Sequence, residues 1–382
     1  MTRKTRAIID LDAIHQNYQL TTQFAPKSKN IAVIKADAYG HGNIKVAQSL
    51  ESSVPAFAVA IFEEAVELRN AGITKPILIL QGLNSKQELR YAIDNQLYVM
   101  VINKHQIELI KDLHNSLLAE PFPPSQQLHI WLKLDSGMHR LGFTADEITE
   151  QFRTLLDCDW VGNDMVITSH LACASNTSND KTNQQSKVFN RVVDKLNQVM
   201  SLELMQQSSS KLATSLANSA SLIAFPETRM SWNRPGIMLY GLSPFDDGKV
   251  GAEELKPAMT FESYVIDITK VKAGESVGYS NKWTASKDSL IATISVGYGD
   301  GYPRQAKNGT PLLIAGQNAK LAGTVSMDMI TADISECDNI KIDDSVELWG
   351  KNVDANLVAK YSDSIGYDLI TGIAKRVPKV YS

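Results

Sequence analysis

The sequence predicts an α/β protein, with an N-terminal (β/α)8 TIM-type barrel over residues 1–242 and a C-terminal mainly-β domain over residues 243–382. Three observations carry that expectation. Short apolar runs alternate with amphipathic stretches of helical length through the first part of the chain, as strand–helix–strand crossovers require. Eight such units in about 235 residues match the ~250 typical of a barrel. Beyond a polar break containing Pro244, Asp246, Asp247, Gly248 and Gly251, closely spaced β runs take over.

The strands come in order at residues 31–34, 56–61, 76–80, 97–102, 129–134 and 165–168, with two vaguer candidates at 212–215 and 230–234. Each of the six clear runs lacks polar alternation, the mark of a strand covered on both faces. Helices are expected between them at 62–71, 85–95, 104–117, 145–156 and 183–200. An open doubly wound sheet would show the same alternation. No GxGxxG opens a helix after the first strand, which removes the commonest dinucleotide-binding form of that sheet. In the C-terminal part, β runs at 260–269, 290–296, 311–314, 319–325 and 345–349 suit an antiparallel or mixed sheet, with a last helix at 355–364. The Ser208-Ser209-Ser210 stretch is too short for a linker.

Composition narrows the function classes. The 382 residues are 43% hydrophobic and 21% charged, the range of ordinary globular proteins. Thirty-eight Lys plus Arg against 42 Asp plus Glu leave a net charge of −4, which argues against a nucleic-acid partner. Cys158, Cys173 and Cys337 form no CxxC pair, so neither a zinc site nor a disulfide framework is expected, and a reducing compartment fits. No run approaches the ~20 apolar residues of a membrane span. The basic start meets Asp10 and Asp12 before any apolar run of secretory length, so a cytoplasmic protein without membrane contact is expected.

Lys35 follows four apolar strand residues and therefore falls at the carboxyl rim of the barrel, where this architecture keeps its reactive groups. Taken alone, it suits either a lysine extending its ammonium to solvent or a desolvated amine of lowered pKa that forms an imine with an aldehyde. Small neighbours and Gly40 and Gly42 leave room for a bulky ligand.

The stretch Ala32-Val33-Ile34-Lys35-Ala36-Asp37-Ala38-Tyr39-Gly40-His41-Gly42 resembles the pyridoxal-phosphate signature of alanine racemases. Further stretches agree in order. They are Trp131-Leu132-Lys133-Leu134-Asp135-Ser136-Gly137-Met138-His139-Arg140-Leu141-Gly142, then Ser169-His170-Leu171-Ala172, Ala217-Asn218-Ser219-Ala220 and Arg234-Pro235-Gly236-Ile237. Val277-Gly278-Tyr279, Val296-Gly297-Tyr298-Gly299-Asp300-Gly301-Tyr302, Met327-Asp328 and Arg376-Val377-Pro378 complete the series across both expected domains.

The resemblance implies interconversion of L- and D-alanine with pyridoxal 5'-phosphate as cofactor, supplying D-alanine for peptidoglycan. It assigns Lys35 to the cofactor aldehyde, and Tyr39, Ser219, the backbone N–H groups of Gly236 and Ile237, and Tyr367 to the phosphate. Loops after the last two strands of a barrel commonly make such a site. Ser219 and Asn218 equally suit an ordinary helix cap. Arg234 is assigned to the pyridine nitrogen. A guanidinium only donates, so it weakens the electron sink and suits a reaction that must return a proton without side products.

Racemisation needs a base on each face of Cα. Lys35 serves one, and Tyr279, which resembles the tyrosine that the family takes from a second subunit, serves the other; a head-to-tail homodimer follows. A phenol working near neutral pH needs roughly 4 kcal/mol of help from nearby charge or donors, for which His170 and Arg234 are the implied suppliers. Arg140 is implied to hold the substrate carboxylate, helped by the Met327 N–H, with Asp328 in support. Tyr298 and Tyr279 narrow the entrance towards a small side chain, and Lys133 matches a lysine carbamylated in many relatives that steadies Arg140. Two positions depart from the pattern. Asp37 stands where asparagine is frequent, and Ser215 stands where some relatives carry a histidine behind Arg234, which removes one expected hydrogen-bond partner. Rival expectations are a broad-specificity racemase acting on serine, lysine or arginine, a decarboxylase of a related barrel fold, and a non-catalytic carrier of the cofactor.

Overall fold

A computed structural model describes residues 3–117, 127–162, 164–203, 211–245 and 251–382. The Ser208–Ser210 stretch and Asp246, Asp247 and Gly248 of the expected break lie outside the described residues. In chain order the first part comprises β1 (Arg6–Ile9), α1 (Leu11–Phe24), β2 (Lys29–Asn30), β3 (Ala32–Val33), a tight turn α2 (Lys35–Tyr39), α3 (Asn43–Leu50), β4 (Phe57–Val59), α4 (Phe62–Asn70) and β5 (Ile77–Ile79). There follow α5 (Lys86–Asp94), β6 (Leu97–Val101), α6 (Lys104–Leu117), β7 (His129–Lys133), α7 (Ile148–Leu156), β8 (Val166–Thr168), α8 (Lys181–Glu203), β9 (Ala213–Ser215), α9 (Ser219–Ala224) and β10 (Trp232–Asn233).

Strands β3 through β10 pair in sequence order, all parallel, and β10 returns to β2. β2 and β3 are one strand in two pieces. The Ile31 and Val33 N–H groups donate to Asn233 and Pro235 carbonyls on one edge, while Ala32 and Ile34 donate to Ala56 and Ala58 on the other. The sheet thereby closes into a barrel, and the two vague candidates at 212–215 and 230–234 are its seventh and eighth strands. β4, β5 and β8 are buried at every residue, which is why they read as unbroken apolar runs. Local chemistry starts the helices: Asp10 accepts from the Ala13 N–H at 2.9 Å to cap α1, and Ser85 from Glu88 at 3.2 Å to cap α5.

The second part holds β11 (Met259–Val271), β12 (Ser276–Val277), β13 (Trp283–Thr284), β14 (Ser289–Ile294), β15 (Pro311–Ile314), β16 (Gln317–Leu321), β17 (Ile330–Asp333), β18 (Ser345–Trp349), α10 (Ala355–Tyr361), α11 (Gly366–Thr371) and β19 (Lys379–Tyr381). Among the described residues its main sheet runs β14-β17-β16-β15-β18-β11-β1-β19. Met259 to Val265 alternate strictly between buried and half-exposed, as expected for a strand with one wet face.

One placement departs from an unbroken N-terminal unit over 1–242. β1 lies in the second sheet, with Ala7 opposite Phe261 in β11 and Lys379 in β19. Its alternation of exposed Arg6, buried Ala7 and buried Ile9 is the half-wet pattern of that sheet and not the doubly covered pattern of the barrel. Both ends of the chain are thus stitched into the β domain, and they brace it against the barrel rim that carries Lys35.

Candidate active site

Lys35 leaves the carboxyl end of β3 and opens α2, where Ala36, Asp37, Ala38 and Tyr39 all take φ between 52 and 54°. A left-handed turn made of L-residues costs roughly 1–2 kcal/mol per residue, so the surroundings must hold it. They do so with named bonds. Glu64 accepts the Ala36 N–H at 2.6 Å and the Ala60 N–H at 2.7 Å. Asp37 accepts the Asn43 N–H at 2.8 Å and pairs with Lys379 of β19. His41 Nδ1 lies 3.0 Å from the Tyr39 carbonyl. Gly40 ends the turn at φ 83°, where any side chain would run into the Ile370 carbonyl. The turn sets Lys35 and Tyr39 into one cavity of about 670 Å³. Burial and then the nearby Arg140 lower the Lys35 pKa, against the pull of Glu64.

At one end of that cavity donors converge. Asn218 caps α9 by accepting the Ser221 N–H at 3.1 Å, which sets Ser219 at its first turn. The Ser219 hydroxyl accepts the Gly236 N–H at 2.8 Å. Tyr39 stacks on Tyr240 with centroids 4.8 Å apart, and Tyr367 lies tilted against it at 6.2 Å. A Cβ on Gly236 would sit 2.6 Å from the Tyr39 hydroxyl, so only glycine lets backbone N–H and phenol approach the same point. Burial raises the Tyr39 pKa, which keeps its phenol a donor.

The floor is cationic. Arg234, buried, donates to Thr168 Oγ1 at 3.0 Å, to the Ser169 carbonyl at 2.6 Å, to the Leu216 carbonyl at 3.4 Å and to Ser215 Oγ. Every acceptor is neutral, and burial brings Arg234 down to about 10. Ser215 therefore bonds Arg234 directly, correcting the expectation of a lost partner: a short hydroxyl at the end of β9 reaches the guanidinium unaided. Arg234 Nη2 lies 3.5 Å from His170 Nδ1. His170 corrects a second expectation, because burial and then Arg234, Lys133, Arg140 and Lys35 hold its pKa well below the usual value. It is neutral near pH 7 and supplies no positive charge.

Lys133 is also buried, and burial with Arg234 and Arg140 pushes its pKa well down. Among the described residues it has no carboxylate within ion-pair distance. Arg140 is exposed at the mouth, on a loop shaped by Asp135, whose Oδ1 accepts the N–H groups of Gly137, Met138 and His139 at 2.9–3.0 Å. Gln185 ties this loop to the His170 carbonyl at 3.0 Å and to Ser136 Oγ at 3.3 Å. Glu64, Asp135 and Gln185 were not singled out in the sequence. A carboxylate two residues ahead of a glycine turn, as in Asp135-Ser136-Gly137, is the signal that could have found the second of them.

The cavity thus gathers Lys35, Tyr39, Lys133, Arg140, His170, Ser219, Arg234, Gly236, Ile237 and Tyr367. Tyr279, Tyr298, Met327 and Asp328 do not line it. They form a separate patch on the β domain: the Tyr298 N–H donates to Ser326 O at 3.0 Å and Thr324 Oγ1 to the Tyr279 carbonyl at 2.9 Å. Tyr279 is 70% exposed, Met327 54% and Tyr298 38%, unusual for large apolar side chains.

Family models match both parts of the chain. The model for the alanine racemase N-terminal domain matches residues 9–244, and that for the C-terminal domain matches 258–381. An alanine racemase of Alteromonas mediterranea is 41% identical over 383 aligned residues, covering 100% of this chain and 99% of the relative. The crystal structure of the biosynthetic alanine racemase from Pseudomonas aeruginosa superposes with a TM-score of 0.88 at 38% identity, covering 100% of both chains. That of the Bartonella henselae alanine racemase with covalently bound pyridoxal phosphate does so with a TM-score of 0.84 at 27% identity, covering 99% of each.

Proposed function

The chain belongs to the alanine racemase family, and from that premise we propose a two-base interconversion of L- and D-alanine, with pyridoxal 5'-phosphate on Lys35 and each site completed by a second copy of the chain. The residues present suit that cofactor. An amine of lowered pKa faces a cavity whose far end offers Tyr39, Ser219, the Gly236 and Ile237 N–H groups and Tyr367 to a phosphate, while Arg234 occupies the floor. When bound, the cofactor supplies the electron sink that lets alanine Cα release its proton.

The chain's own groups do the rest. Arg140, with no partner among the described residues, offers a planar fork to the substrate carboxylate. Lys35 Nζ takes or returns the Cα proton on one face. Tyr279 Oη from the second copy serves the other face, helped by the Met327 N–H on the carboxylate and by Tyr298 at the entrance. Arg234 donates only, which keeps the pyridine nitrogen unprotonated.

The observation that carries this proposal is the split between a cationic cavity holding Lys35 and an exposed patch holding Tyr279, two halves that one chain does not bring together. The division near residue 242 then separates cofactor binding from the second base. Among the described residues no helix is long and apolar enough to cross a membrane. The test is a D-amino-acid-oxidase coupled assay over a panel of L-amino acids. Alanine should be turned over fastest and Lys35→Ala should be inactive. Faster turnover of serine, lysine or arginine would overturn the substrate assignment.

A further inference from the structure

Asp300, Asp328 and Arg376 sit in motifs shared with the family, yet the chemistry above gives Asp300 and Arg376 no task. They form one alternating chain of charges with Arg3. Arg3 grips Asp300 with both Nη atoms, at 2.6 and 2.8 Å, and Arg376 Nε donates to the same carboxylate at 2.7 Å. Arg376 Nη2 reaches on to Asp328 at 2.7 Å. Asp300 is fully buried and also accepts the Gly297 N–H at 3.0 Å, while the Ala374 N–H donates to its carbonyl at 3.1 Å.

These bonds clamp two loops together. The Tyr298 N–H donates to Ser326 O at 3.0 Å and the Gly299 N–H to Met327 O at 2.8 Å. Gly299 is packed so closely that a Cβ there would lie 2.7 Å from Arg376 Nη2 and 3.0 Å from the Met327 carbonyl. The peptide that bears the Met327 N–H is therefore held at its Ser326 carbonyl, and the next one at the Met327 carbonyl and through Asp328, while the Met327 N–H has no acceptor among the described residues. A planar fork can hold two carboxylates at once in fixed directions, which a point charge cannot.

We infer that Arg376, braced by Asp300, is a positioning residue: its bond to Asp328 aims the Met327 N–H at the substrate carboxylate, an inference that rests on the shared-site reading above. Arg376 and Asp328 are 42% and 56% exposed, and the two-pronged bond from half-exposed Arg3 to buried Asp300 is made by neither of them. The probe is propionate, which carries the carboxylate and methyl group of alanine but no amine to react. In the holoenzyme, Arg376→Gln and Asp328→Asn should each raise the propionate inhibition constant and the alanine KM in parallel, by about tenfold for one misdirected hydrogen bond to a charged group. The double variant should be no worse than either single one, because both act on one peptide. The cofactor's absorption band should stay at its wild-type value in both variants, and the unfolding temperature in Asp328→Asn, whereas Arg376→Gln also takes one donor from buried Asp300.

Met327→Pro, which deletes the N–H itself, separates the two claims. An unchanged propionate constant in Met327→Pro overturns the role given to Met327. A raised constant there with wild-type values in Arg376→Gln and Asp328→Asn overturns the inference and leaves the charge chain as a structural brace. A lowered unfolding temperature without any change in propionate binding does the same.

Discussion

Arg234 Nη2 and His170 Nδ1 stand 3.5 Å apart in the cavity floor, and because a guanidinium only donates, Nδ1 must be the bare nitrogen of a neutral ring. The ring proton then belongs on Nε2, and Arg234 keeps the positive charge of the floor.

Arg234 holds four neutral acceptors, two of them buried backbone carbonyls at Ser169 and Leu216. Arg234→Ala strands those carbonyls and should cost about 3 kcal/mol of unfolding free energy at roughly 1–3 kcal/mol per orphaned group, read by denaturant titration. Arg234→Glu should raise the amount of pyridoxamine phosphate formed per racemisation turnover. An unchanged ratio in a discontinuous chromatographic assay would contradict the fidelity role.

Lys133 is buried among cations, and burial and then Arg234 and Arg140 push its amine pKa well below the ordinary value, which favours the neutral, nucleophilic form. Attack of that amine on carbon dioxide forms an N–C bond and releases one proton, turning a destabilised cation into a carboxylate that can accept from Arg140. Protein equilibrated with 13C-bicarbonate should show a carbamate carbon resonance that is absent in Lys133→Met. No resonance in the wild type would mean that Arg140 is steadied without it.

If each site draws Lys35 from one copy and Tyr279 from another, two inactive variants should rescue one another. Lys35→Ala and Tyr279→Phe homodimers, mixed after mild dissociation in equal amounts, should recover about a quarter of wild-type activity, since half of the reassorted dimers carry one intact site. Mixtures as inactive as the separate variants would contradict shared sites.

Much of the barrel was legible because strands covered on both faces must be apolar throughout, as at Phe57–Val59 and Ile77–Ile79. β17 and β19 were not, since Ile330–Asp333 and Lys379–Tyr381 are short and mixed in polarity. Nothing local tells Ala7 that its partner is Phe261, and so β1 could only be placed by the tertiary structure. The left-handed turn after Lys35 was legible only at its end, in Gly40, because alanine and tyrosine avoid that conformation and a single aspartate, which tolerates it, does not announce a whole turn. The resemblance located Ser215 and His170, while their actual tasks depended on distances: one hydroxyl reaches Arg234, and one imidazole is too well buried among cations to be charged.

His41 is fully buried with its pKa lowered to about 4 by burial, against two backbone carbonyls that pull the other way. An unfolded histidine titrates near 6.5, so the unfolded chain takes up the proton first as the pH falls. The stabilisation is complete above pH 6.5 and lost progressively towards pH 4, amounting to about 3 kcal/mol over that window. His41→Asn, whose amide can still donate to the Tyr39 carbonyl, should show a shallower loss of denaturation midpoint between pH 6.5 and 4. Identical slopes would contradict a neutral buried ring.

The covalent attachment is tested most directly by reducing the cofactor-loaded protein with borohydride, digesting it and mapping the pyridoxyl adduct. The expected result is a single modified lysine at position 35, in a peptide that carries Ala32 to Gly42, with no adduct on Lys133. An adduct on another lysine, or none, would contradict the assignment from which the roles of Tyr39, Ser219, Arg234 and Tyr279 all follow.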